Sequence, residues 1–308
     1  MRLIDGRAIA AAIGAEVAAG ALALASPDTA RASGGPAALA AKDNTAKAPA
    51  ALAAGAFVPV LAVVLPTQDE AARWYARSLS RAAARAGIDC RVEELAEPSR
   101  AALAAALTRL SADDSVHGII CQAPLPDGVP LSAAGEWIDP AKDVDGASPV
   151  SLGRLAAGLP GFAPATAAAV LEILRHEQVP LEGASVVVAG RSVVVGKPAA
   201  LLLLAQNATV TVCHSRTAGL ARICSGADVL VSAIGRPGII GAGHVRSGAV
   251  VIDVGTTPTP DGKLAGDVDA AAMTGLAGLL TPVPGGVGPV TTALLLRNVL
   301  SAARASAS

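Results

Sequence analysis

Short runs of Val, Ile and Leu recur along the chain, separated by segments of helical length. They read VPVLAVVLP at 58–66, GIICQAP at 118–124, SVVVAG at 185–190, TVTVCHS at 209–215, DVLVSAIG at 228–235 and AVVIDVG at 249–255. Runs without polar alternation suit strands covered on both faces, and alternation with helices indicates parallel sheets of the α/β class. The intervening stretches 69–86 and 98–112 read as helices, CRVEEL as a further strand, and a helix is predicted from about 165 to His176. Residues 1–25 suit a strand followed by an Ala-rich helix, and the Ala/Leu-rich stretch after Pro289 suits a helix that packs back on the first domain.

A length of 308 residues is enough for about two domains. The strand runs fall into two series, the second beginning near residue 165, and residues 26–56 are rich in Ala, Gly, Pro and small polar residues, as in a surface insertion. Lys and Arg number 24 against 25 Asp and Glu, so the net charge is −1. A neutral chain in which aromatics are only 2% has neither the basic footprint nor the stacking platforms of a nucleic-acid binder. Residues 8–25 are apolar, but Asp5, Arg7 and Glu16 interrupt the region, and Pro49, Pro59 and Pro66 break the uncharged stretch 48–67. Neither is read as an export signal or a membrane span. Cys90, Cys121, Cys213 and Cys224 form no CxxC pair, which fits reduced thiols in the cytoplasm.

Residues 184–199, ASVVVAGRSVVVGKPA, lead a buried strand into Gly190, Arg191, Ser192 and Gly196 and then a helix near Pro198. Small residues there let the backbone turn sharply and approach a pyrophosphate at a helix N-terminus. The spacing is Gly-x-Ser-x-x-x-Gly, so an ordinary strand–turn–helix remains open. The next strand ends in Cys213-His214-Ser215-Arg216, where an NAD-selective fold places a carboxylate. Ser215 with Arg191 or Arg216 suits a 2′-phosphate instead, favouring NADP; the other reading of Arg216 is a solvated surface charge. His214 reads as structural. Gly255 and Thr256 follow the last strand, at the edge where ligands bind, and serve either beside the cofactor or as a plain turn.

The segments VHGIICQAPLP (116–126), KDVDG (142–146), GRSVVVGKP (190–198), ATVTVCHSRTA (208–218) and TPVPGGVGPVTT (281–292) stand in one order. In them the chain resembles the bifunctional methylenetetrahydrofolate dehydrogenase/methenyltetrahydrofolate cyclohydrolase family over nearly its whole length, apart from 26–56. The resemblance implies a folate-binding catalytic domain over 1–150, a Rossmann-type NADP-binding domain over 151–284, and a segment 285–308 returning to the first. It also implies a folate cleft between the domains and a cytosolic homodimer acting on tetrahydrofolate derivatives. Carried over residue by residue, Tyr75, Gln122 and Asp145 are its catalytic and substrate-binding residues, and Pro284, Gly285, Gly286, Val287 and Gly288 line the folate.

The family's Tyr-x-x-x-Lys helix here reads Tyr75-Ala76-Arg77-Ser78-Leu79, so Leu79 stands at the lysine's position. Residues i and i+4 share a helix face, which places Leu79 beside Tyr75 facing the same cleft. Ser151 replaces an Asn, Pro66-Thr67 replaces Val-Gly, and FAPATAAAV (162–170) keeps Thr166 but not the family's Cys, Pro and Gly. Hydride transfer needs positioning, whereas opening a ring with water needs proton transfer. The expectation is therefore an NADP-dependent dehydrogenase with weakened or absent cyclohydrolase activity. The alternatives are a catalytically silent folate- or NADP-binding protein and an oxidoreductase for another one-carbon carrier. Asp143 and Asp145 suggest no metal site, Asp143 reads as a turn cap, and His117 and Cys121 read as buried structural residues.

Overall fold

The computed structural model describes residues 1–25 and 57–307; the expected insertion at 26–56 lies outside them. In chain order the elements open with β1 (Arg2–Leu3), α1 (Gly6–Leu24), β2 (Val60–Leu65), α2 (Glu70–Arg85), β3 (Asp89–Glu94), α3 (Arg100–Ala112) and β4 (Gly118–Cys121). There follow α4 (Leu131–Gly135), α5 (Pro149–Ala156), α6 (Ala165–His176), β5 (Ser185–Ala189), α7 (Gly196–Leu204), β6 (Thr209–Cys213), α8 (Leu220–Cys224), β7 (Val229–Ser232) and β8 (Val250–Asp253). The last are β9 (Thr257–Pro258), β10 (Leu264–Ala265), β11 (Leu279–Leu280) and α9 (Val287–Ser306). The chain is α/β, as its runs of aliphatic residues required.

Two compact units emerge, one of Met1–Ala11 with Ser151–Leu294, the other of Ala12–Val150 with Leu295–Ser308. The second contains a three-stranded parallel sheet in the order β3-β2-β4. Every residue of β2, VLAVVL, is buried because strands flank it on both sides. Each such Val or Leu contributes roughly 1.5–3 kcal/mol of burial. Leu103, Leu107 and Leu110 of α3 close one face of this sheet over Val60, Ala62 and Val64. A Cβ on Gly118 would press on Val144 and Val299, so β4 lies tight against the turn before α5 and against α9. The Asn298 side-chain amide of α9 also donates to the Val144 carbonyl at 2.8 Å.

The other unit holds a six-stranded sheet in the order β1-β11-β8-β7-β5-β6, with all its pairings parallel. Its first strand departs from the domain reading that began the folate-binding unit at residue 1. Arg2 and Leu3 pair with Leu279 and Leu280, so β1 extends the sheet of the later residues. A two-residue strand carries no periodicity to reveal its partner. In α1, Ile9, Ile13, Val17, Ala21 and Leu24 are buried. Spaced by about one turn, they explain why a helix long and apolar enough to cross a membrane has a packed face here.

Candidate functional site

In the six-stranded sheet β5 lies between β6 and β7, and the chain steps from β5 to β6 on one side before crossing to β7 and β8 on the other. That reversal opens a crevice at the carboxyl ends of β5 and β7, where open α/β sheets bind ligands. Gly190 ends β5 there with φ +143°, a conformation that favours glycine. Its N–H donates to the Cys213 carbonyl at 2.9 Å, and a Cβ on it would collide with the Ala233 carbonyl after β7. A Cβ on Gly196 would in turn collide with the Gly190 carbonyl. The turn therefore admits backbone only, and α7 starts directly against the end of β5. Such a cradle fits a pyrophosphate held by backbone N–H groups.

Ser192 Oγ accepts from the N–H groups of Val195 (3.2 Å) and Gly196 (3.4 Å), holding the start of α7 in place. Arg191 and Ser192 are exposed, as are Ser215 and Arg216 after β6. The His214 N–H donates to Thr217 Oγ1 at 2.9 Å, and His214 Nδ1 accepts from the Arg216 N–H at 3.1 Å. His214 thus shapes the turn that presents Ser215 and Arg216, the structural part expected of it.

Below this crevice lies a buried carboxylate pair, Asp253 and Asp267. Asp267 is 0% exposed and accepts from Ser232 Oγ (3.0 Å) and from the N–H groups of Ile234 (2.7 Å) and Arg236 (2.8 Å). Asp253 accepts from the N–H groups of Gly255 (2.9 Å), Asp267 (3.0 Å) and Val268 (2.9 Å). Its own N–H donates to Thr281 Oγ1 at 2.7 Å. Burial pushes the Asp253 carboxyl up to about 6, against the pull of those N–H donors, and the charge of Asp267 adds to the rise. Gly255 is packed against the Asp267 carboxylate, with no room for a Cβ, while Thr256 is exposed. The signal available in the sequence was an Asp at the end of one strand run and another in GDVD, with only glycine where each carboxylate lies.

The Pro284–Gly288 segment leads into α9, and Gly285 has φ +106° with Arg7 beside it. Leu3, Asp5, Arg7, Pro282, Pro284 and Gly285 line a cavity of about 230 Å3. The Asp5 carboxylate accepts from the N–H groups of Arg7 and Ala8 and so caps α1.

In the other unit, Asp69 caps α2 by accepting from the Ala72 N–H at 2.8 Å. The helix buries Ala72, Ala76, Leu79 and Ala83, a stripe of one residue per turn. Tyr75 lies at the margin of this stripe and is half-buried. Leu79 is 0% exposed. The expectation that it faces a cleft beside Tyr75 is corrected: its isobutyl group lies in the packed face of α2, where an apolar side chain is kept from water.

Gln122 follows β4 and is held at its carboxyl end by its N–H donating to the Val64 carbonyl at 2.9 Å. The KDVDG segment is tied down on several sides. Lys142 Nζ donates to the Ser111 and Asp113 carbonyls, both at 2.8 Å, at the end of α3. The buried Asp143 carboxylate accepts from the N–H groups of Ala147 and Ser148, both at 3.0 Å, as a turn cap should. Asp145 is half-buried and lines a small cavity with Asp143, Ile120 and Cys121. Burial pushes the Cys121 thiol up to about 12, so it remains protonated and inert. His117 Nδ1 accepts from the Val60 N–H at 2.9 Å and its ring packs on Phe57, the satisfied core histidine expected. The structure thus places Tyr75, Gln122 and Asp145 in one unit and the turn from Gly190 to Gly196 in the other. Lys142 is a residue that sequence reasoning missed, because its two carbonyl partners come from a helix 30 or so residues earlier.

Residues 4–145 match the tetrahydrofolate dehydrogenase/cyclohydrolase catalytic domain, and residues 164–307 match the tetrahydrofolate dehydrogenase/cyclohydrolase NAD(P)-binding domain. The bifunctional protein FolD of Parafrankia sp. (strain EAN1pec) is 56% identical over 304 residues, covering 98% of this chain and 99% of that protein. Bifunctional protein FolD 1 of Rubrobacter xylanophilus is 47% identical over 308 residues, covering 98% and 97%. Among solved structures, the bifunctional enzyme FolD of Campylobacter jejuni superposes with a TM-score of 0.87 at 34% identity, covering 99% of both chains. The Trypanosoma brucei methylenetetrahydrofolate dehydrogenase-cyclohydrolase, complexed with NADP cofactor and inhibitor, superposes with a TM-score of 0.85 at 36% identity, covering 99% and 98%.

Proposed function

Because the chain belongs to the tetrahydrofolate dehydrogenase/cyclohydrolase family, we propose that it is an NADP-dependent methylenetetrahydrofolate dehydrogenase whose cyclohydrolase activity is weakened or lost. Oxidation of methylenetetrahydrofolate to methenyltetrahydrofolate removes a hydride from the one-carbon bridge, expelled by a nitrogen lone pair of the folate itself. NADP, when bound, supplies the acceptor for that hydride. No side chain has to take up a proton, so the protein's part is to hold and orient.

The residues of this chain suit that part. The backbone turn at Gly190 and Gly196 holds the pyrophosphate. Ser215, with Arg191 or Arg216, takes the 2′-phosphate through a hydroxyl and a charge-assisted fork. Asp145 and Gln122 hydrogen-bond the polar edge of the pterin. Tyr75 packs its ring against the folate.

Ring opening is a different demand. Water must add to the methenyl carbon, and protons must then leave and arrive, work in which a positioned acid–base group contributes about 10²–10⁴-fold. At the position where the family carries lysine, this chain has Leu79, fully buried on the packed face of α2. That observation carries the reading. Lys142 is committed to the carbonyls of Ser111 and Asp113, and an arginine stays protonated and moves no proton.

The test is to assay both reactions on the wild-type protein. The expected result is dehydrogenase turnover with ring opening near the uncatalysed rate. Wild-type ring opening as fast as hydride transfer would overturn the reading. A wild type that binds NADP but transfers no hydride would favour the silent binding protein instead.

A further inference from the structure

We propose that Asp267 is a positioning residue for the dinucleotide: buried beneath the crevice, its carboxylate fixes the loop after β7 against which the phosphate turn is built. The inference rests on the NADP reading above. The phosphate turn touches that loop through Gly190, whose Cα faces the Ala233 carbonyl too closely for any side chain. The Ala233 N–H also donates to the Ala189 carbonyl at 2.7 Å. A shift of the loop therefore shifts the turn.

What holds the loop is not sheet hydrogen bonding. Beyond Ala233, the N–H groups of Ile234 and Arg236 have left the ladder and donate to the two oxygens of Asp267, at 2.7 and 2.8 Å. Ser232 Oγ shares the first of those oxygens at 3.0 Å. Charge-assisted bonds of this kind are stronger than neutral ones, and the loop between them has little freedom left. Asp267 is in turn held from behind by Asp253, whose carboxylate accepts from the Asp267 and Val268 N–H groups. A dinucleotide then meets a crevice whose far wall is already set, and does not have to order it on binding.

Asp267→Asn preserves the shape but replaces one acceptor oxygen with an NH2 group. With the amide oxygen turned to Ile234 and Ser232, that NH2 faces the Arg236 N–H, two donors opposed in a buried site. The experiment is titration of NADP+ and NADPH against wild type and Asp267→Asn by isothermal titration calorimetry. Urea unfolding and kcat at saturating NADP+ are measured on the same samples. The expected result is a Kd for NADP+ raised about tenfold, with kcat within twofold of wild type. An unchanged Kd, whatever happens to stability, would overturn the proposal and leave Asp267 a structural residue. A wild type that does not bind NADP+ would overturn the NADP reading and this inference with it.

Should the variant fail to fold, amide hydrogen exchange of the ligand-free wild type decides. The Ile234 and Arg236 N–H groups are expected to be protected to the level of the β7 amides. Exchange of both at the rate of open loops would overturn the proposal.

Discussion

His117 and Leu79 are both buried, and each carries a consequence that a single substitution exposes. His117 is held below its ordinary value by burial first, and then by the nearby charges of Lys142 and Arg91. Its Nδ1 is an acceptor for the Val60 N–H, so protonation removes a buried hydrogen bond at the start of β2. The folded state takes up this proton at lower pH than the unfolded chain. Its stabilisation is therefore full above about pH 6.5 and is lost as pH falls, by at most about 1.4 kcal/mol per pH unit. His117→Asn, which offers an acceptor but takes up no proton, is expected to flatten the fall in Tm between pH 7 and 5. An unchanged slope would mean that another group sets it. Leu79→Ala is expected to destabilise the protein by about 2–5 kcal/mol in urea unfolding, the range for a leucine removed from a packed core. A loss below about 1 kcal/mol would contradict the packed position of this side chain. The identity of residue 79 was plain in the sequence, but its burial was not. The i, i+4 relation to Tyr75 gave a shared side of the helix, and only the stripe of Ala72, Ala76 and Ala83 shows that Leu79 belongs to the packed part of it.

At the level of elements, the strand–turn–helix from β5 to α7 is the part of the site that the sequence displayed most openly. A buried run ending in Gly190, followed by Gly196 at a helix start, predicts a backbone-lined turn because no other residue leaves so much space. Gly196→Ala is expected to weaken NADP+ binding at least tenfold in a calorimetric titration, since its methyl group must displace the Gly190 carbonyl. Binding within twofold of wild type would show that the pinch is not needed. The partners of β1 and the roles of Asp253 and Asp267 were hidden for one physical reason. Each depends on which strands are neighbours, and neighbour order is set by crossovers that leave no local pattern. Asp267 acquires its meaning only when β7 and β5 lie side by side and the N–H groups of Ile234 and Arg236 in the loop after β7 turn to its carboxylate. The same holds for Lys142, whose two carbonyl partners lie at the end of α3 and leave no local pattern around it.

For the whole molecule, the two reactions differ in what they require of a protein. Hydride transfer requires held geometry, and in the proposed function the turn at Gly190 and Gly196 contributes to it. Ring opening requires a side chain that exchanges protons, and residue 79, on which the proposed loss of that reaction rests, is a buried leucine. The most direct measurement follows NADPH formation and the methenyltetrahydrofolate chromophore together in one wild-type reaction started from methylenetetrahydrofolate and NADP+. The expected course is that methenyltetrahydrofolate accumulates mole for mole with NADPH and then decays no faster than in a control without enzyme. If NADPH rises while methenyltetrahydrofolate never accumulates beyond a trace, the protein opens the ring as fast as it makes it, and the account is contradicted.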